Sequence, residues 1–364
     1  MGFFYRDEQA DADADQPEAR DRARIEAGGI PLAAEARLRA LGTDSPLFTS
    51  GLSVREFALL GRLGPQPLAQ VMGASVVRPG WQYLPALAPG QAMLGRSGNY
   101  GAPIINGWRG SVYTEPSPSQ VRNYLWHNEV VCELDVLTDA WSLARRRALD
   151  RLREEALQVG ADAVVGVRLH RGDHDLGAGV IEYVVTGTAI RLPGCDRSVW
   201  PLLSDLSVQD YWRLLSAGHQ PAGLVATTSV VFASAARSVR LRRARTQQRN
   251  QELDEVSRAF HAARETVRAR LEGQVSDAEG VGAVGVEFAH TVRQEKLSLA
   301  ASLQSTVSRG WHQGRLGIPY YVSGHGDTER RGWVITMHAA GTAIHSRSVP
   351  VPTTTKTTVR MGGR

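Results

Sequence analysis

An internal repeat constrains the fold of this chain more than any other feature of its 364 residues. Positions 52–77 match positions 206–231 at 11 of 26 places without a gap, at a constant offset of 154 residues. Positions 133–169 match 252–288 at 11 of 37 places, at an offset of 119 residues. Self-similarity of this length indicates a repeated structural unit, so the chain is predicted to be a tandem duplication.

A third block, in which Gly187–Ile190 matches Gly341–Ile344, restores the offset of 154 residues. The changing offset places insertions at different points of the two copies, as expected for loops on a shared core. The expected organisation is a disordered acidic segment over 1–20, a short helical lead-in over 21–45, a first copy over 46–193 with a Gly-, Pro- and aromatic-rich insert at 78–125, a linker over 194–200, a second copy over 201–347 with an insert at 289–332, and a disordered tail over 348–364.

Each copy is predicted to be a helix–strand–long helix–strand–strand unit of the α+β class. Ser53 followed by Glu56 is a capping-box pattern, and Ser207 with Asp210 is a weaker version of it. Apolar residues then recur at spacings of three and four from position 134 to 156, which predicts a long amphipathic helix. Two β-branched runs follow. Three strands leave open sheet edges, so self-association is expected.

Three segments of the first copy resemble one known family. Leu149–Ala156, Gly160–Val167 and Gly187–Ala189 are similar to the YbjQ-like heavy-metal-binding domain family, in which a long helix runs into an LGADAVVGV strand and then a GTAV strand. The corresponding stretch of the second copy, Glu279–Val286, has diverged from this pattern. The stretch 47–75 further resembles longer actinobacterial members.

The resemblance implies a fold, an oligomeric habit and a ligand class. The implied fold is a small dodecin-subunit-like unit, an antiparallel sheet with one long helix, which assembles as a pentamer with a barrel of strands inside. For a duplicated chain we expect five chains in two stacked barrel-like rings, one ring from each copy. A monomer whose two copies pair with each other is the alternative. The implied cofactor is a divalent transition-metal ion.

The first candidate metal ligands lie between the last two strands of the first copy. Two imidazoles and two carboxylates fall within six residues and offer nitrogen and oxygen ligands: His170, Asp173, His174 and Asp175. A solvated turn is the alternative interpretation. Cys132 and His127 offer a weaker candidate, against which stands the common role of cysteine as a small buried residue.

A basic segment is the second candidate site. It comprises Arg237, Arg240, Arg242, Arg243, Arg245 and Arg249, on or just before the second long helix. Repeated around an oligomer, these arginines could bind nucleic acid or an acidic lipid surface. A solvated helix face or a partner for the acidic start of the chain is the alternative. The triplet 145–147 is expected on the outer face of the first long helix, and the insert 81–124 in packing or assembly.

Composition and motifs exclude several classes of protein. Hydrophobic residues make up 42% and charged residues 22%, as in globular proteins. No apolar run approaches the roughly 18 residues that a membrane helix needs. The first residues lack the features of a signal peptide, and two cysteines suit a reducing compartment, so a cytoplasmic location is expected. Without a nucleophile elbow or a P-loop, we expect a non-enzymatic oligomeric binding or scaffold protein. The alternative is an assembly with an anionic partner.

Overall fold

The computed structural model has mixed α and β structure, in agreement with the predicted α+β class. The described residues are 17–43, 49–80, 129–174, 180–193, 200–245, 250–298, 310–313, 319–322 and 329–346. Within these ranges, no helix is long and apolar enough to span a membrane.

The elements are numbered here in chain order. The helices are α1 (Pro17–Glu26), α2 (Leu32–Thr43), α3 (Val54–Leu63), α4 (Asp135–Gln158), α5 (Val208–Ser216), α6 (Arg237–Arg245) and α7 (Asp254–Asp277). The strands are β1 (Gln66–Val77), β2 (Val130–Glu133), β3 (Ala163–His174), β4 (Val180–Arg191), β5 (Leu202–Leu203), β6 (His219–Ser234), β7 (Gly282–Ser298), β8 (Gly310–Gln313), β9 (Pro319–Val322) and β10 (Glu329–Ser346).

The strands form two larger sheets. Sheet 1 has the order β1-β4-β3-β5 and sheet 2 the order β2-β6-β10-β7, while β8 and β9 pair separately. Each sheet takes an edge strand from the other half of the chain. β2 precedes α4 but pairs with β6, and β5 follows the predicted linker but pairs with β3. The two halves are therefore joined through backbone hydrogen bonds.

The same order of elements occurs twice around the two sheets. The first unit is α3, β1, α4, β3 and β4; the second is α5, β6, α7, β7 and β10. Both long helices have 24 residues. Glu155 Oε2 accepts from the amide of Met72 at 2.9 Å, and Gln274 Oε1 accepts from the amide of Ala226 at 2.9 Å. These residues correspond at the offsets found in the sequence, so the two units share a helix-to-strand hydrogen bond.

The short helices begin as their sequences predict. The Ser53 hydroxyl accepts from the Glu56 amide at 3.3 Å, and the Glu56 carboxylate accepts from the Ser53 amide at 2.7 Å. This reciprocal pair is the predicted capping box. Gly64 ends α3 with φ of 96°, a left-handed conformation that glycine adopts without steric cost. At α5, the Ser207 hydroxyl accepts from the Asp210 amide at 3.1 Å.

Helix α4 lies between the two sheets and contacts β1, β4 and β6, whereas the main contacts of α7 among the described residues are with sheet 2. Trp141 of α4 packs edge-on against Tyr183 of β4 and against His338 of β10. Ala148 and Leu152 of α4 are fully buried in the core beside β1. Burial of each large apolar side chain contributes about 1.5–3 kcal/mol, so α4 anchors both sheets to one core.

A glycine sets how closely α4 approaches sheet 1. A Cβ added at Gly73 of β1 would lie 1.9 Å from the Ala148 carbonyl oxygen and 2.7 Å from the Leu152 amide nitrogen. Both are backbone atoms of α4, which side-chain rotation cannot move aside. Gly73 therefore allows the helix backbone to contact the strand directly.

Several boundaries differ from the expectations. Helix α1 begins at Pro17, inside the segment expected to be disordered, while residues 1–16 lie outside the described part of the chain. Strands β7 and β10 extend to Ser298 and from Glu329, into both ends of the predicted insert. Residues 81–128, which include most of the first predicted insert (78–125), and residues 347–364, which include the predicted tail (348–364), also lie outside the described residues.

Candidate functional site in the polar seam

Polar and charged side chains occupy the contact between α4, sheet 2 and α7. We call this group the polar seam; its members are Glu133, Thr138, Arg145, Thr228, Ser229, Arg270 and His338. A buried charge without a partner costs several kcal/mol, so such groups normally pair. Hydrogen bonding in the seam therefore determines how the two units meet.

Glu133 and Arg270 form the central ion pair. Arg270 Nη1 donates to Oε1 of Glu133 at 2.7 Å and Nη2 donates to Oε2 at 2.9 Å, a bidentate geometry. The Glu133 side chain is only 3% exposed. The hydroxyls of Ser229 and Thr138 also donate to Oε1, at 2.7 and 3.3 Å. Because Glu133 lies on β2 and Arg270 on α7, this pair ties the first half of the chain to the second.

The arginine has a counterpart in the first unit. Arg270 Nη1 also donates to the carbonyl of Thr228 at 2.9 Å. Arg151 aligns with Arg270, and it donates to the carbonyl of Ala74, which aligns with Thr228. The remaining donors of Arg151 include Nε, which bonds the carbonyl of Gly29 at 3.1 Å. Both arginines therefore fasten a long helix to a strand, and the pairing with a buried carboxylate is particular to the second unit.

Arg145 is buried with hydroxyl partners. Its side chain was expected on the outer face of the helix, but Arg145 is 7% exposed because sheet 2 covers that side of α4. Nη1 donates to Thr228 Oγ1 at 3.0 Å, and Nη2 lies 3.5 Å from Ser142 Oγ. Burial lowers the pKa of Arg145, and the positive charges of Arg146 and Arg171 lower it further.

His338 lies at the centre of the seam on β10. Its Nδ1 is 2.9 Å from Thr228 Oγ1, and its ring packs edge-on against Trp141 at a centroid distance of 4.7 Å. Burial, assisted by the charges of Arg171 and Arg145, lowers the pKa of His338 to about 3. The imidazole is therefore neutral at physiological pH, and Nδ1 can accept a hydrogen bond from the threonine hydroxyl.

A cleft of about 510 Å³ opens beside the seam, between α4, β6 and α7. Its lining includes the hydroxyls of Thr138, Ser142 and Thr228 and the guanidinium groups of Arg145, Arg146 and Arg270. Asp139 and Asp277 also line it. The cleft thus offers the Ser142 hydroxyl and guanidinium donors to a small polar ligand.

The predicted metal ligands are described only in part. His170 lies exposed on β3. Asp173 and His174 end the same strand, but their side chains, like the whole of Asp175, fall outside the described residues. Among the described residues, no group of three or more His, Cys, Asp and Glu side chains is placed to hold a metal ion. Residues 170–174, which were expected in a turn, belong to β3 and pair with β4. The metal site in the segment 170–175 stays a prediction.

The second metal candidate is buried. Cys132 lies on β2 rather than at the start of a helix, and it is 3% exposed. Burial, together with the charge of Asp135, raises the pKa of the Cys132 thiol to about 12. The thiolate that binds metals is therefore disfavoured at neutral pH. His127 lies outside the described residues.

The basic segment forms a separate helix, α6, before α7. Arg237, Arg240, Arg242 and Arg243 lie on it, whereas the side chain of Arg245 and all of Arg249 fall outside the described part. Arg243 donates from Nη1 and Nη2 to the two carboxylate oxygens of Glu255, at 2.6 and 2.8 Å. Glu255 is buried on α7. Arg243 thus serves an internal ion pair, and anion binding by the segment stays a prediction.

Sequence reasoning did not identify the polar seam. One available signal was the repeat itself, since Arg145 and Arg151 align with Arg264 and Arg270 without change. For Arg151 and Arg270 this identity reflects a shared role, since each donates to the aligned strand carbonyl. The aligned pairs alone could not show that Arg145 is covered, because that depends on how α4 meets sheet 2.

Comparison with known proteins gives three findings. The family model described as "Putative heavy-metal-binding" matches residues 127–193, which include β2, α4, β3 and β4. The encapsulin nanocompartment protein Rv1762c of Mycobacterium tuberculosis is 31% identical over 247 residues, which are 66% of this chain and 78% of that protein. No solved structure matches the chain significantly.

Proposed function

The chain belongs to the family of the encapsulin nanocompartment protein Rv1762c, and on this premise we propose that it is a non-enzymatic structural protein that assembles with copies of itself in a protein nanocompartment. Self-assembly was expected from the open sheet edges. The cytoplasmic location expected from the sequence belongs to the same proposal. We further propose that the two units arose by tandem duplication, which the shared hydrogen bonds of Glu155 and Gln274 support.

One observation carries the assembly proposal: apolar residues that are exposed on the first unit are buried at the aligned positions of the second. Val76 of β1 is 63% exposed, whereas the aligned Val230 of β6 is fully buried in the core that contains α4. Val54 at the start of α3 is 85% exposed, whereas the aligned Val208 is 2% exposed. The second unit is covered by the first, and in a single chain nothing described covers the first unit in the same way.

On the long helices the difference is reversed: residues of the first unit are buried and the aligned residues of the second unit are more exposed. Trp141 of α4 is 5% exposed between the two sheets, whereas the aligned Phe260 of α7 is only partly buried. Arg145 is buried and the aligned Arg264 is exposed. If α7 of one chain packs on sheet 1 of the next as α4 packs on sheet 2, both uncovered faces are buried. Such a head-to-tail contact repeats until a ring closes.

This contact places both units of a chain side by side, in contrast to the two stacked rings expected from the family resemblance. The pentamer and the barrel-like rings are predictions from the family resemblance and do not follow from this contact. The native mass of the assembly gives the number of chains directly.

The variant Val76→Asp tests the proposed contact. We expect the wild-type protein to have a native mass of several chains, and Val76→Asp to have the mass of one chain, because an aspartate buried against α7 of a neighbour would be unpaired. Native mass spectrometry measures both, and circular dichroism shows that the variant is folded.

The matched control is Leu32→Asp. Leu32 is 36% exposed at the start of α2, where a carboxylate is favourable beside the helix N-terminus, so this variant should retain the wild-type mass. A wild-type protein with the mass of one chain would overturn the assembly proposal.

Metal binding by the segment 170–175 remains part of the proposal, supported by the family model over residues 127–193. We expect tag-free protein to bind a divalent transition metal saturably with release of protons. His170→Ala combined with His174→Ala should abolish the bound metal in elemental analysis, whereas His261→Ala on α7 should retain it. Equal metal content in the wild type and in both variants would exclude a metal site in this segment.

The alternative partner is an anionic polymer or surface that contacts α6. If the protein binds such a partner, the affinity for it should fall steeply as the salt concentration rises. The affinity should also fall when Arg242 and Arg243 are replaced by Ala. The observed ion pair of Arg243 with Glu255 favours the structural role of this segment over the binding role.

A further inference from the structure

We propose that the cleft beside the polar seam binds a small oxyanion of phosphate type, held by Arg145 and Arg146 of α4. The inference does not depend on self-assembly, because the cleft is formed within one chain by α4, β6 and α7. Three observations support it: the buried charge of Arg145, the hydrogen-bond donors that line the cleft, and the different burial of the aligned Arg264 in the second unit.

The buried charge of Arg145 lacks a carboxylate. Its side-chain hydrogen bonds go to the hydroxyls of Thr228 and Ser142, at 3.0 and 3.5 Å, and no carboxylate of the described residues accepts one from it. Arg171, Arg146 and Arg270 are near enough to oppose its protonation. Of these three, Arg270 is neutralised by Glu133. A guanidinium at 7% exposure without a counter-ion is costly, which an anion in the adjoining cleft would offset.

A second arginine adds to the positive charge around Arg145. Arg171 lies on β3, and its Nε is buried without a hydrogen-bond partner among the described residues. The Arg171 charge also lowers the pKa of His338, which keeps that imidazole neutral. The positive charges of Arg145 and Arg171 therefore attract an anion toward the cleft, which Arg145 and Arg146 line.

The donors of the cleft suit a tetrahedral oxyanion. Guanidinium groups present paired N–H donors that match phosphate oxygens. Ser142 accepts from Arg145 and can donate its own hydroxyl hydrogen on the same wall. Asp139 and Asp277 line the same cleft; a phosphate that keeps one proton can donate a hydrogen bond to such a carboxylate. A long anionic polymer is not favoured, because the charge that lacks a partner is the buried one.

The second unit provides a matched control. Arg264 of α7 aligns with Arg145, but it is exposed and its guanidinium lies over the ring of Phe288, 5.9 Å from the centroid. The two arginines thus occupy the same position on equivalent helices and differ in burial. If oxyanion binding needs a buried guanidinium, only Arg145 supports it.

The test is a titration with inorganic phosphate at constant ionic strength, read by phosphorus NMR and by the melting temperature. We expect saturable binding by wild type and by Arg264→Met. Arg145→Met should weaken binding by at least about tenfold, because a charged hydrogen-bond donor is lost. Arg146→Ala, at an exposed position where we expect folding to be unaffected, should weaken binding as well.

Three outcomes would overturn the inference: no saturable binding by wild type, equal binding by wild type and Arg145→Met, or loss in Arg264→Met equal to that in Arg145→Met. A general salt effect of phosphate on stability would raise the melting temperature of all four proteins alike, and that result also counts against the site. Native masses of the same samples report on assembly separately.

Discussion

Replacement of Arg270 by Met should lower the free energy of unfolding by about 3–5 kcal/mol. The substitution leaves the Glu133 carboxylate, at 3% exposure, with only the hydroxyls of Ser229 and Thr138 as partners. It also removes the donor to the carbonyl of Thr228. The cost arises because an uncompensated buried charge remains, and not because the intact pair is worth that amount. Urea unfolding at one protein concentration measures the change.

The control for this variant is Arg268→Met on the same helix. Arg268 pairs with Glu265 and Glu272, and all three side chains are more than one third exposed. Solvent screens such pairs, so their loss should cost at most about 1 kcal/mol. If Arg270→Met were no more destabilised than Arg268→Met, the seam would not hold the two halves together as described.

The local structure of this chain follows from short-range patterns, which explains why much of it could be predicted. The capping box of Ser53 and Glu56, the left-handed Gly64 and the two 24-residue helices depend on residues within a few positions of one another. The repeat added the correspondence between the units, since aligned residues adopt the same elements. Strands β3 and β4 correspond to the two β-branched runs of the first copy, and they pair with each other in antiparallel orientation.

The contacts between the units could not be predicted in this way. Strand β2 has four residues, all of them buried, too short for its alternation to indicate a strand. Its partner β6 is about 100 residues away in the sequence. Arg145 has the spacing of an outer helix position relative to sheet 1 and becomes buried only because a second sheet packs on α4. The spacing of apolar residues along one helix predicts the single face that packs on its own sheet. It cannot predict that a second sheet covers another face of the same helix.

The candidate site depends on the same long-range contacts. Glu133, Arg145, Arg270 and His338 come from four separate elements, and no two of them are closer than 12 positions in the sequence. Motif reasoning favours clusters such as the segment 170–175, whose residues are neighbours in the chain. The polar seam has no such signature, because its function is to join surfaces that folding brings together.

Acid should destabilise the protein through His338. Its folded-state pKa of about 3 lies below the value of 6.5 for an unperturbed histidine, because burial and the charges of Arg171 and Arg145 oppose protonation. As the pH falls, the unfolded chain therefore binds a proton that the folded chain rejects. The stabilisation is complete above pH 6.5 and is lost progressively as the pH falls toward 3, at about 1.4 kcal/mol per pH unit.

The pH dependence of a variant isolates this contribution from that of the carboxylates. Between pH 7 and pH 5, wild type should lose about 2 kcal/mol more than His338→Gln, whose amide can bond Thr228 but does not titrate. His261→Gln, at an exposed position on α7, should keep the wild-type slope. Urea unfolding at the two pH values gives each difference. Parallel slopes for wild type and His338→Gln would mean that the imidazole is protonated in the folded protein, and the seam would then hold a further positive charge beside Arg145.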